Sequence, residues 1–139
     1  MTPTLVLDAS VALAWCFDDE ATAATQEVLE RLDADRAIAP PLLPLEIANV
    51  LALAERRKRI SPSRVAEFVE LIGTLAIEIE EQTSSRALHD VLNLARGEAL
   101  TAYDASYLEL AMRRGLPLAS KDVSLRQAAT RLGVPLLGA

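Results

Sequence analysis

Short apolar runs of three to five residues alternate with amphipathic helical patterns along the whole chain, and this alternation constrains the fold more than any other feature. Thr4–Leu7 is a β-favouring run that ends at Asp8, and helical spacing begins almost at once, from Ser10 to Cys16. Ala21, Ala24, Val28 and Leu32 then share one helical face ahead of a second strand, Ala37–Ala39, which Pro40 and Pro41 close. Leu43, Ile47, Val50, Leu51 and Ala54 stripe the next helix, which ends in the basic run Arg56–Arg59. Ser61 followed by Pro62 supplies a cap and a first-turn proline for a helix striped by Val65, Phe68, Val69 and Ile72. Ala76–Glu80 alternates apolar and acidic residues, the pattern of a half-buried edge strand. Leu88, Val91, Leu92 and Ala95 mark a helix ending near Gly97, and another runs from about Ala102 to Arg114, stopped by Gly115. Leu116–Ala119 and 133–137 are strands on either side of a last helix striped by Leu125, Ala128, Ala129 and Leu132.

Strand–helix alternation with no linker, repeat or low-complexity stretch predicts one α/β domain over residues 1–139, built on a mainly parallel sheet. The longest charge-free stretches, such as Ala9–Phe17 and Ala37–Leu45, are nine residues, about half of what a bilayer span needs. The N-terminus has no basic segment ahead of its short apolar run, so a cytoplasmic location is expected. The lone Cys16 allows no internal disulfide and reads as a packing residue. The only histidine, His89, reads as a surface residue, which removes triad chemistry and His-based zinc sites. No glycine-rich phosphate loop is present, so nucleotide binding lacks its usual marker.

In open parallel sheets ligands sit beyond the carboxyl ends of the strands, so the informative residues are the polar ones that follow strands. Asp8 and Asp122 do so. Glu46 and Asp104 lie on predicted helices, and neither has a basic residue three or four positions away in either direction. By contrast, Glu109 has Arg113 and Asp90 has Arg86 one turn away, which reads as ordinary solvated pairing. Asp8 and Asp122 are also placed to cap helices, and Thr101-Ala-Tyr-Asp104 has the form of a capping box, but Glu46 has no such role. Carboxylates gathered without His or Cys make a hard-oxygen site suited to Mg²⁺ or Mn²⁺, and the natural chemistry of such a site is phosphodiester hydrolysis by metal-activated water.

The ordered set Leu5-Val-Leu-Asp8-Ala-Ser10, Glu46-Ile-Ala-Asn49-Val-Leu51, Leu100-Thr-Ala-Tyr-Asp104 through Ala111, and Leu118-Ala-Ser120-Lys-Asp122 resembles the PIN-domain ribonucleases, and within them the VapC-type toxins of type II toxin–antitoxin pairs. The resemblance spans nearly the whole chain and implies a three-layer α/β/α fold with a five-stranded sheet in the order 3-2-1-4-5. It implies that Asp8, Glu46, Asp104 and Asp122 form an acidic quartet for Mg²⁺ or Mn²⁺. Ser10 matches the small polar residue that supports the site, although its position also suits a helix N-cap. Asn49 is placed one turn from Glu46, where it can orient it; Thr101 is a further supporting residue, and Ser120 stands where many relatives have Thr. The implied partners are an RNA substrate, a cognate VapB-type antitoxin and a second copy of the chain, with Val11–Phe17 and Val65–Leu75 as surfaces for the protein partners.

The charge balance tests that reading, because 14 Lys and Arg against 20 Asp and Glu leave a net −6, which is unusual for a nucleic-acid binder. Two bound divalent cations would offset much of it, with Arg56, Arg57, Lys58 and Arg59 free as a local basic patch. A single-stranded DNA nuclease on the same fold, and a catalytically silent module that binds partners, are the alternatives. A phosphoreceiver domain is excluded because Asp8 has no acidic neighbour. A haloacid-dehalogenase-like phosphatase is excluded because Ser10 stands where it needs a second Asp.

Overall fold

The computed structural model describes residues 2–139. Five strands, β1 (Pro3–Leu7), β2 (Arg36–Ala39), β3 (Ile77–Ile79), β4 (Leu118–Ala119) and β5 (Leu136–Leu137), form one sheet in the order β3-β2-β1-β4-β5. Every pairing is parallel. The order reverses beside β1, which pairs with β2 through Val6 and Ile38 and with β4 through Leu7 and Ala119. Leu5, Val6 and Leu7 are all fully buried. Successive strand side chains point to opposite faces, so helices cover the sheet on both sides and the fold has three layers, as the family resemblance implied.

The helices are α1 (Ala9–Ala14), α2 (Ala23–Arg31), α3 (Leu42–Arg56), α4 (Pro62–Thr74), α5 (Thr83–Arg86), α6 (Leu92–Glu98), α7 (Ala102–Arg114) and α8 (Val123–Arg131). Ser61 caps α4 by accepting from the Arg64 N–H at 3.2 Å, and Gly115, at φ +65°, ends α7 in the left-handed conformation that glycine adopts without cost. The helix expected to stop near Gly97 continues to Glu98, and Ala99 takes the left-handed position at φ +53°.

Four expectations need correction. The single helix through Leu88 is divided: α5 runs through a π-helical turn at Ala87–Val91 into α6. Widening this turn rotates the apolar stripe, so Val91 and Ala95 are buried while Leu88 is 79% exposed. The Val11–Phe17 segment is core, not partner surface, because all seven residues are buried. Trp15 fixes it by donating its indole N–H to the Thr25 carbonyl at 2.8 Å.

The other two corrections concern charge. Arg59 is not a free member of the basic run, since its guanidinium lies 4.0 Å from the Phe17 ring centroid and pairs with Asp19 and Glu20. The Glu109–Arg113 pair is not solvated. Arg113 donates to Glu109 at 2.9 and 3.0 Å and to Glu80 at 3.1 and 3.2 Å, and both carboxylates are buried. Glu80, just past the edge strand, therefore turns inward. Burial alone would raise its carboxyl, but hydrogen bonds from Arg113, the Thr83 hydroxyl and the Gln82 N–H outweigh burial and hold it at about 2.

Removing one partner of such a pair leaves an uncompensated buried charge, so Arg113→Ala should cost about 3–5 kcal/mol in denaturant unfolding. The Glu80 carboxyl is depressed in the folded chain. Its contribution is thus present above the unfolded value of 4.5 and is lost as pH falls toward about 2. Unfolding curves of the wild type and Glu80→Gln should separate at neutral pH and converge across that acid window.

Candidate functional site

The site lies at the carboxyl ends of β1 and β4, where the strand order reverses. Asp8 follows β1 directly, and its N–H donates to the Ala119 carbonyl at 3.0 Å, so strand pairing fixes its backbone. It occupies the cap position of α1, but its side chain does not cap the helix. The Ser10 hydroxyl donates to Asp8 Oδ2 at 2.8 Å and the Ser120 hydroxyl donates to the same oxygen at 2.7 Å. Oδ1 stands outside both bonds.

These serines also join the two sides of the site. Ser10 Oγ accepts from the Lys121 N–H at 2.8 Å, and Ser120 Oγ accepts from the Asp122 N–H at 3.1 Å. Ser10 is thus a first-turn residue of α1 that ties β1 to the segment after β4, and the cap position falls to Asp8. Asp122 does cap a helix: its Oδ2 accepts from the Leu125 N–H at 2.8 Å at the start of α8. Arg126 steadies the same edge by donating to the Ser120 and Leu137 carbonyls. The Lys121 ammonium donates to the Glu20 carbonyl.

Glu46 and Asp104 approach from the helices. Glu46 lies on α3, and its Oε1 accepts from the Tyr107 hydroxyl at 2.5 Å. Tyr107 is fully buried in α7, one turn beyond Asp104, so a single rigid residue fixes the second carboxylate relative to the third. Asn49, expected to orient Glu46, is exposed and is not its hydrogen-bond partner. Thr101 caps α7 by accepting from the Asp104 N–H at 3.1 Å.

The electrostatics follow from this arrangement. Asp8 is only 4% exposed, and burial raises its carboxyl against the pull of Ser120, Ser10 and the Ala9 N–H, with the Asp122 charge adding to the rise. Burial raises Glu46 against the Tyr107 hydrogen bond, and the charges of Asp8 and Asp104 push it further. Asp104 is raised by burial and by the charges of Asp122 and Asp8. The Tyr107 hydroxyl is held far above its ordinary value by burial and by Glu46, so it stays a proton donor at any working pH. Asp8, Glu46 and Asp104 therefore each feel the charge of at least one other acid of the group.

Among the described residues none of the four carboxylates takes part in an ion pair. Nor do any three acids close into a ready cage, so the quartet is an open cluster coupled through charge. An all-oxygen donor set of this kind fits Mg²⁺ or Mn²⁺, and Mg²⁺ in particular keeps several waters and needs only one or two direct carboxylates.

Sequence reasoning missed Tyr107 and Arg126. The signal for Tyr107 was available, since it is the only phenol one helical turn from a predicted site acid that also lies on an apolar face. Arg126 carried no such signal, because it acts on backbone carbonyls that only the tertiary fold brings together.

No curated protein matches the sequence significantly. Solved structures share its fold. PAE2754 from Pyrobaculum aerophilum matches with a TM-score of 0.70 at 21% identity, covering 96% of this chain and 83% of that one. VapBC2 from Rickettsia felis, solved bound to a DNA fragment from their promoter, matches with a TM-score of 0.62 at 10% identity and 96% coverage of both chains. FitAcB from Neisseria gonorrhoeae matches with a TM-score of 0.62 at 15% identity, again covering 96% of both. The family model for the PIN domain aligns with residues 5–130, nearly the full extent of the sheet and its helices, and the chain belongs to the PIN domain family.

Proposed function

We propose that the chain is a metal-dependent endoribonuclease of the VapC type, which hydrolyses RNA phosphodiester bonds and is neutralised by a cognate VapB-type antitoxin. The observation that supports this reading best is that Asp8, Glu46 and Asp104 are buried or half-buried, feel the charge of neighbouring acids, and have no ion-pair partner among the described residues. PIN domains are nucleases as a group, and the likeness to VapBC2 and FitAcB supports a toxin with an antitoxin partner.

In this reading the four carboxylates hold Mg²⁺ or Mn²⁺, which when bound activates water and neutralises charge on the scissile phosphate. Ser10 and Ser120 hold Asp8 through Oδ2 and leave Oδ1 outside both serine bonds. Tyr107 keeps Glu46 aimed inward, and Thr101 anchors the helix turn that carries Asp104. Arg56, Arg57 and Lys58, exposed at the end of α3, attract the RNA backbone.

The antitoxin surface is the apolar groove between α3 and α4. It has a volume of about 470 Å³, is lined by Leu43, Ile47, Phe68, Val69 and Ile72, and runs to the edge strand at Ile79. Val69 is 56% exposed there. A second copy of the chain is the other expected partner. No helix among the described residues is long and apolar enough to cross a membrane.

Cleavage of labelled RNA should require Mg²⁺ or Mn²⁺, stop with EDTA, and be abolished in Asp8→Asn and Asp104→Asn while their circular dichroism stays native. Retained activity in either variant would refute the site. Single-stranded DNA, assayed side by side, should be cut poorly; preference for it would instead make the chain a DNA nuclease.

Unfolding offers a check independent of turnover. Asp8, Glu46 and Asp104 are raised in the folded chain, so their effect favours folding below their ordinary values and is lost as pH rises through the raised ones. At pH 7 without metal, Asp8→Asn should therefore melt higher than the wild type. Saturating Mg²⁺ or Mn²⁺ should reverse that order, stabilising the wild type by about 2–3 kcal/mol at a hundredfold excess over its dissociation constant.

Neutralising Arg56, Arg57 and Lys58 together should flatten the salt dependence of RNA binding, lowering the slope of log K against log salt by about 2. An unchanged slope would place the RNA path elsewhere.

A further inference from the structure

Ser120 is fully buried and every polar group it has is engaged. Its hydroxyl meets Asp8 Oδ2 and the Asp122 N–H, while its peptide groups are held by residues outside the acid cluster. The Ser120 N–H donates to the Leu137 carbonyl at 3.2 Å, and Arg126 Nη1 bridges the Ser120 and Leu137 carbonyls at 2.7 and 3.1 Å. The end of β5 thus fixes one of the two hydroxyls on Asp8.

The other hydroxyl, that of Ser10, stands on α1, and the same C-terminal segment reaches that helix. Gly138, immediately after β5, is buried at φ +78°, and a Cβ at this position would lie 2.9 Å from Val11 Cγ2 and 3.5 Å from Val28 Cγ2. Val11 follows Ser10, is fully buried, and carries a branched side chain that is stiff about its first torsion. A methyl group at 138 therefore forces α1 and the C-terminal segment apart. If α1 yields, Ser10 moves with it. If the C-terminal segment yields, the Leu137 carbonyl leaves Ser120. In either case one arm of the clamp on Asp8 Oδ2 is displaced.

We infer that Gly138 and the Leu137 carbonyl position the Asp8 carboxylate for a divalent cation, with Arg126 as the link to Ser120. This rests on reading the acids as a cation site and extends it to a segment that contributes no acid. Hydrogen-bonded partners behind a metal-binding carboxylate are commonly worth ten- to a hundredfold in metal affinity.

The test is Mn²⁺ binding by isothermal titration calorimetry, without RNA, at a temperature where circular dichroism shows each variant folded. Gly138→Ala should bind Mn²⁺ about tenfold more weakly than the wild type. Gly115→Ala is the control: it has the same left-handed backbone, at φ +65°, but nothing within 4 Å of the added methyl, so it should bind as the wild type does. Val11→Ala removes the methyl that Gly138→Ala strikes, so the double variant should recover most of the lost affinity. A general loss of structure would instead deepen when the second substitution is added, and that result overturns the inference. Arg126→Ala should also weaken binding, and Arg126→Lys, which can still donate to the two carbonyls, should weaken it less. Wild-type affinity in Gly138→Ala, or in Arg126→Ala should Gly138→Ala fail to fold, would overturn the inference and leave the cation site standing. A wild type that binds no Mn²⁺ would overturn both. The expected losses in a protein that cuts no RNA would support the inference and refute the nuclease reading alone.

Discussion

A carboxylate almost out of contact with water, held by two serine hydroxyls and by no cation, is the constraint on which the rest of the site depends. Asp8 is placed by strand pairing, so it cannot leave without breaking the centre of the sheet. Hydroxyl hydrogen bonds lower the cost of keeping it charged but do not cancel the charge. What surrounds it either shares the problem, as Glu46 and Asp104 do, or limits it, as Ser10 and Ser120 do for Asp8 and Tyr107 for Glu46. The sheet stores unfavourable electrostatics at one edge, and stored repulsion among oxygens is what a hard divalent cation relieves.

The same chain shows how it neutralises buried acids when charge is unwanted. Glu80 and Glu109 share Arg113, with Arg86 at 3.8 Å from Glu109, and the Glu80 carboxyl falls far below its ordinary value. That cluster ties the edge-strand end to α7, the helix that also carries Asp104 and Tyr107. The two clusters therefore share a scaffold but have opposite electrostatic signs. Glu80 is depressed by the Arg113 guanidinium, whereas Asp8, Glu46 and Asp104 are raised by burial and by the charge of neighbouring acids.

What could be read from the sequence was set by local chemistry. The strand–helix alternation, the Ser61–Pro62 start and the Gly115 stop rest on short-range patterns, and the strand order on the family resemblance; all stand in the folded chain. Asp8 and Asp122 became candidates because they follow strands, and Glu46 and Asp104 because no basic residue lies three or four positions away, and both tests are local. The second test misread Glu109: its partner was found, but its burial was not, since burial depends on Glu80 arriving from the far side of the sheet. Leu88 was misplaced because a π turn changes the helical period, and the apolar stripe carries no record of that. Tyr107 and Asn49 exchange roles for a related reason. Spacing favoured the neighbour on the same helix, whereas the hydrogen bond to Glu46 comes from a residue 61 positions away.

An acidic protein that takes a polyanion must separate attraction from chemistry in space. Here the free cations Arg56, Arg57 and Lys58 stand at the end of α3, while Glu46 lies near its start, so one helix spans from the attracting patch to the acid site. Arg59 is withdrawn from the patch by Asp19 and Glu20, and Lys121 is turned to the Glu20 carbonyl, so both of these cations are already engaged. On the proposed nuclease reading, approach is governed by a patch that works over roughly a Debye length, and commitment by divalent cations held at the acids. On that reading, a net charge of −6 repels strands that do not reach those cations, so the charge distribution itself favours the productive geometry.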